Sequence, residues 1–92
     1  MTSRLALLGR FEADLCVRVV DVAPDYTIAQ VIEAAAELTV DRYVRRPEPG
    51  MTLRLRRTTP DDSAPPLPPD LTVAEAGLRH FDCVDVYATR EG

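Results

Sequence analysis

Val22-Ala23-Pro24-Asp25-Tyr26-Thr27-Ile28-Ala29-Gln30-Val31 is the stretch that decides how this chain folds. It ends one element and starts another of different period. Ala23-Pro24-Asp25 breaks a valine-rich strand, because proline has no N–H for a ladder and favours a turn. Thr27 is then a good N-cap, and Gln30 stands three residues later, where a capping box needs it. Tyr26 and Val31 occupy the two positions of a hydrophobic staple. Beyond the cap, Ile28, Val31, Ile32, Ala35, Leu38 and Thr39 follow helical spacing and form one apolar face. Glu33 and Glu37 lie opposite. The helix is expected to end between Thr39 and Tyr43, before Pro47.

Upstream, Leu15 to Val22 reads as a strand, with Val17, Val19, Val20 and Val22 supplying β-branched side chains. Arg4 to Phe11 reads as another. Only Glu12, Ala13 and Asp14 separate them, so an antiparallel hairpin is predicted. Both strands are apolar on both faces: Leu5 and Leu7 oppose Ala6 and Leu8, and Val17 and Val19 oppose Cys16, Val20 and Val22. One helix covers one face of a sheet. The sequence therefore calls for a bulge in strand two or for a covering partner.

Downstream, Pro47-Glu48-Pro49-Gly50 is a turn. Met51 to Arg57 alternates, with Met51, Leu53 and Leu55 on one face and Thr52, Arg54 and Arg56 on the other. Thr58 to Asp70 holds five prolines and reads as a rigid, extended connection. Thr72-Val73-Ala74-Glu75 is a second capping box, and Gly77 stops it after one helical turn. Asp82 to Thr89 is the last strand, with Val84 and Val86 on one face and Asp85 and Tyr87 on the other.

The order is hairpin, helix across one face, strand, proline-rich loop, helical turn, strand. That is an α+β arrangement. It resembles the β-grasp fold typified by ubiquitin, both in order and at two local segments. Val22 to Ile28 looks like the strand-to-helix junction of ubiquitin-like domains. Leu71-Thr72-Val73-Ala74-Glu75-Ala76-Gly77-Leu78 looks like the short turn before their final strand. The expectation is one ubiquitin-like domain over 1–92, with a mixed sheet of four to five strands, one main helix and a short helical turn. The loop 58–70 lies within it.

Composition narrows the function. Ninety-two residues make one domain with one modest core. Fifteen acids against eleven bases give a net charge of −4, a poor start for a nucleic-acid binder. No apolar run is long enough to span a bilayer, and Leu5 to Leu8 is too short for a signal-peptide core. A cytoplasmic protein is expected. All eleven bases are arginine. Codon usage in a GC-rich genome accounts for that as readily as an arginine-rich binding face.

Catalytic and cofactor-binding constellations are missing. His80 is the single histidine, so a two-histidine metal site cannot form within the chain. The four glycines are scattered, so there is no phosphate loop. Cys16 and Cys83, 67 positions apart, read as free, half-buried, inert thiols. Asp61 and Asp62 read as solvated loop acids rather than a general acid/base pair. The cluster Arg54, Arg56 and Arg57, with Arg45 and Arg46 nearby, reads either as a solvated strand face or as a protein-contact surface.

A longer resemblance runs from about Phe11 to Val86. It rests on Phe11 and Asp14 before the valine-rich strand and on Gln30-Val31 in the helix. It continues with Val40-x-Arg42-x-Val44, Gly50-Met51-x-Leu53-Arg54, Leu71 to Leu78, and Asp82-x-Val84-Asp85-Val86. In these the chain resembles the small gamma subunit of the hydroxylase of toluene, alkene and isoprene-type soluble di-iron monooxygenases. The proline-rich loop departs from that pattern.

The resemblance implies a division of labour. The gamma subunit would be non-catalytic, with no cofactor or metal of its own. It would pack on an alpha subunit that holds the di-iron centre, beside a beta subunit, in an (αβγ)₂ hydroxylase. An NADH-fed reductase, a Rieske-type ferredoxin and an effector protein would complete the system. The hydrocarbon is left open. The partner interface is expected at Arg54 and Arg56 and at Leu8 and Val20, taken as the apolar outer face of strands one and two. Two readings compete: a free-standing ubiquitin-like interaction module, and a carrier, which would need a C-terminal Gly-Gly where this sequence has Arg90-Glu91-Gly92.

Overall fold

The computed structural model describes residues 4–12, 16–40, 48–61 and 63–90. Among these residues, four strands form one sheet in the order β2-β1-β4-β3. They are β1 (Leu5–Phe11), β2 (Arg18–Val22), β3 (Met51–Arg57) and β4 (Cys83–Arg90), and one helix, α1 (Ile28–Thr39), follows β2. β1 pairs antiparallel with β2 and parallel with β4, and β3 pairs antiparallel with β4. This mixed sheet carrying one helix is the β-grasp topology.

The helix starts where the sequence places it. Thr27 accepts from the Gln30 N–H at 3.2 Å, and the Gln30 side chain accepts from the Thr27 N–H at 2.8 Å. Two further N–H groups of the first turn find carbonyls in the distant loop: Ile28 donates to Leu71 at 2.8 Å and Ala29 to Pro69 at 3.0 Å. The groups that a helix start leaves without an intrahelical partner are thus tied to the proline-rich segment. At the other end the buried stripe is Ile28, Val31, Ala35 and Thr39. Leu38, expected on the apolar face, is exposed. Steps of three and four from Ile28 keep Thr39 near the middle of the stripe and turn Leu38 to its flank. The helix ends at Thr39, and residues 41–47, into which it was expected to run, lie outside the described residues.

The core forms between α1 and one sheet face. It holds Leu7, Phe11, Val20, Val22, Leu55, Val84 and Val86 from the strands and Ile28, Val31 and Ala35 from the helix, closed by Val73 and Leu78. Of those last two, Val73 lies within the second capping box and Leu78 just after the turn it starts. There the Thr72 N–H meets the Glu75 carboxylate at 3.0 Å and the Glu75 N–H meets the Thr72 hydroxyl at 3.1 Å. Gly77 takes φ +73°, the left-handed conformation that stops the turn.

A fifth strand, allowed for by the sequence, is not formed among the described residues. The loop runs beside β3 and makes one bond there, Leu67 N–H to the Leu55 carbonyl at 2.8 Å. Pro65, Pro66, Pro68 and Pro69 flank that residue and have no N–H to continue a ladder. The half-buried Leu67 packs on the core instead.

Candidate protein interface

The register sorts the side chains of β1 and β2 into two faces without a bulge. Leu7 stands opposite Val20, and Leu5 opposite Val22, on the helix side. Leu8 stands opposite Val19, one residue along, on the outer side. Val20 is 2% exposed and belongs to the core. Its assignment to the outer face with Leu8 was wrong by one position in the pleat. The outer valine is Val19, 59% exposed, and Val17 before β2 is also exposed. Of the two explanations for strands apolar on both faces, a bulge is excluded over Arg18–Val22. An uncovered apolar outer surface is what the register leaves.

The other half of the outer face is basic. Arg54 and Arg56 both lie there, opposite Tyr87 and Asp85 of β4. Arg10 of β1 flanks Asp85 on the other side. Asp85 is 3% exposed although it faces away from the core. Its burial is compensated: Arg10 Nη2 lies 3.3 Å from each carboxylate oxygen, Arg56 Nε 3.8 Å from one, and the Thr58 hydroxyl donates at 2.8 Å. A buried carboxylate survives only with such partners. The Arg56 guanidinium also stacks 4.3 Å from the centre of the Tyr87 ring. Arg54 donates to the Thr89 hydroxyl at 3.4 Å. Both arginines named from the sequence are therefore on one face, but Arg56 is engaged inside the domain.

An open hollow of about 520 Å³ is lined by Arg10, Thr58, Thr59, Pro60 and Cys83. No disulfide joins Cys83 and Cys16 among the described residues, and both are exposed rather than half-buried. Cys83 stands beside Leu8 in the β1–β4 register, hence on the outer face.

Phe81 was missed by the sequence reading. It is 61% exposed, and its φ of +67° is unusual for a bulky residue. Its N–H donates to the Ala6 carbonyl at 2.7 Å, and the neighbouring His80 Nδ1 accepts from the Ala6 N–H at 3.1 Å. The turn is thus clamped to β1 on both backbone groups of Ala6, with the aromatic ring held in solvent. Only the pairing of that turn with β1 reveals this, so local sequence gave no signal.

No group of three His, Cys, Asp or Glu side chains among the described residues converges to hold a metal ion. No helix among them is long and apolar enough to cross a membrane. Two surface carboxyls are held below their ordinary values: Glu75 by the Thr72 N–H and hydroxyl, and Asp61 by Ser63. Both belong to local turns.

Fold and surface together define a ubiquitin-like domain whose distinctive feature is a sheet face half apolar and half arginine-lined. The family model for toluene-4-monooxygenase system protein B (TmoB) matches residues 4–87, and the chain belongs to that family. Among solved structures, a chain of the toluene 4-monooxygenase HD complex with the inhibitor 4-bromobenzoate is 32% identical. The match covers 95% of this chain and 100% of that one, with a TM-score of 0.81. Two more distant structures share the fold. One, from work on molecular mimicry of SUMO in DNA repair, is 19% identical, with 94% of this chain and 92% of that one covered and a TM-score of 0.67. The other, Caldiarchaeum subterraneum ubiquitin, is 15% identical, with 98% and 99% covered and a TM-score of 0.65. No curated protein sequence matches the chain significantly.

Proposed function

We propose that this chain is the small, ubiquitin-like gamma subunit of a multicomponent hydrocarbon monooxygenase hydroxylase. It packs on the alpha subunit and leaves the oxygen chemistry to the di-iron centre expected there. The observation that carries the reading is the match over residues 4–87 to a toluene-monooxygenase component, with nearly the full chain aligned to a member of a hydroxylase complex. The surface is in keeping with it. The uncovered outer face, with Leu8, Val19, Arg54 and Arg56, is the surface that docks. The alpha and beta subunits are its direct partners, in an (αβγ)₂ assembly. The NADH-fed reductase, the Rieske-type ferredoxin and the effector act on that assembly rather than on this chain.

Co-expression with alpha and beta subunits of such a hydroxylase tests this. The chain is expected to co-elute with both at equal stoichiometry, and its omission is expected to lower the yield of active hydroxylase. An alpha–beta pair that turns over substrate fully and never binds the chain would contradict the proposal.

A further inference from the structure

We infer that Arg54 anchors a carboxylate on an acidic segment of the hydroxylase partner, laid across the outer face of β3 and β4. The inference rests on the assembly reading above and names the partner's chemistry at that surface. Among the described residues, the outer face of β1, β4 and β3 carries Arg10, Arg54 and Arg56 with one acid, Asp85. That is a basic face on a chain of net charge −4. Asp85 is already met by Arg10, Arg56 and Thr58.

Arg54 is different. Its Nε donates to the neutral hydroxyl of Thr89, and no acid among the described residues pairs with it. It is nevertheless half-buried. A partly desolvated guanidinium without a counter-charge gains more from an incoming carboxylate than a fully solvated one does. Beside it stand its cross-strand neighbour Tyr87 and the stacked Arg56. An aromatic plate flanked by guanidiniums is the composition of interface centres. A polyanionic nucleic acid fits less well, because the rest of the chain would repel it.

The test uses the hydroxylase reconstituted from purified alpha, beta and gamma subunits, with gamma binding measured at 50 and 500 mM NaCl. Wild-type affinity is expected to fall by roughly tenfold or more across that range, since salt screens the charge attraction that brings an acidic segment onto the basic face. Arg54→Glu is expected to bind about tenfold more weakly at low salt and to lose most of the salt dependence, while Arg54→Lys stays within about threefold of wild type. Arg54→Gln, which adds no repulsion, keeps the test valid should the reversal unfold the chain, and is expected to fall between the two. Binding of Arg54→Glu or Arg54→Gln within twofold of wild type would overturn the inference while leaving the assembly reading intact. Failure of wild-type gamma to bind would overturn the assembly reading itself. Tight binding of a single-stranded oligonucleotide to the free chain, lost in Arg54→Glu, would assign the face to nucleic acid instead.

Discussion

Arg10 and Asp85 stand side by side in the parallel β1–β4 ladder, and the Arg10 Nη2 atom reaches both Asp85 carboxylate oxygens at 3.3 Å. The pair joins residues 75 apart in sequence across the centre of the sheet. Removing the acid leaves Arg10, Arg56 and the Thr58 hydroxyl without the group they converge on. Asp85→Ala is therefore expected to cost about 2–4 kcal/mol, below the full value for a buried pair because Arg10 is partly solvated. Asp85→Asn keeps the Thr58 bond and is expected to cost less. Urea unfolding of the free chain measures both. Equal stability of Asp85→Ala and wild type would mean that the cluster contributes nothing.

Leu8 and Val19 share the outer face while Leu7 and Val20 share the core, and one pair of variants separates them. Val20→Asp buries a carboxylate and is expected to destabilise the domain by roughly 3 kcal/mol or more. Val19→Asp is expected to leave stability within about 0.5 kcal/mol and to weaken assembly. Thermal unfolding and co-elution read the two effects separately. Reversed results would require the register to slip by one residue.

Gly77 is set at φ +73° by the turn it ends, and an added Cβ would also lie 3.5 Å from Arg57 Nη2. Gly77→Ala is expected to cost about 1 kcal/mol by forcing a side chain into the left-handed region. Gly9 is constrained by space instead: a Cβ there would come 3.1 Å from Val20 Cγ2. Gly9→Ala is expected to shift the Val20 methyl resonances, and unchanged spectra would contradict the close approach.

The Thr72–Glu75 capping box gives a pH signature. The Thr72 N–H holds the Glu75 carboxyl below its ordinary value of 4.5. A depressed folded value means the contribution is fully present above the unfolded value and is lost as pH falls through the folded one. The Thr72 amide resonance is therefore expected to stay constant at neutral pH and to move only below about pH 4.5. A transition centred above that value would contradict the bond.

Much of the fold was legible because its decisive signals are local. Thr27 with Gln30, Thr72 with Glu75, and Gly77 each state their structure within a few residues. The alternation of Met51 to Arg57 placed Arg54 and Arg56 on one face correctly, because strand parity needs only the sequence. Which parity of β1 matches which parity of β2 needs the register, and there Val20 was misassigned. Asp85 was read only as an outward residue. Its burial depends on the parallel β1–β4 pairing, which brings in Arg10, and on Thr58 at the end of β3. The fifth strand failed because the prolines around Leu67 remove donors, a consequence visible only once the loop lies against β3. Cys83 was expected to be half-buried as a cytosolic thiol, but its position in the pleat, beside Leu8, is the outer one.

The central claim is that the outer sheet face is covered in the hydroxylase, and Cys83 reports on it directly. The thiol is free, exposed and next to Leu8 on that face. With Cys16 replaced by serine, the rate of maleimide labelling at Cys83 is compared between the free chain and the assembled complex. A cysteine placed at Glu33, on the exposed side of α1, serves as the control. Labelling of Cys83 is expected to slow by about tenfold or more on assembly, as for a group moved from solvent into an interface, while the control is unchanged. Equal Cys83 rates in the free chain and in an intact complex would contradict the account.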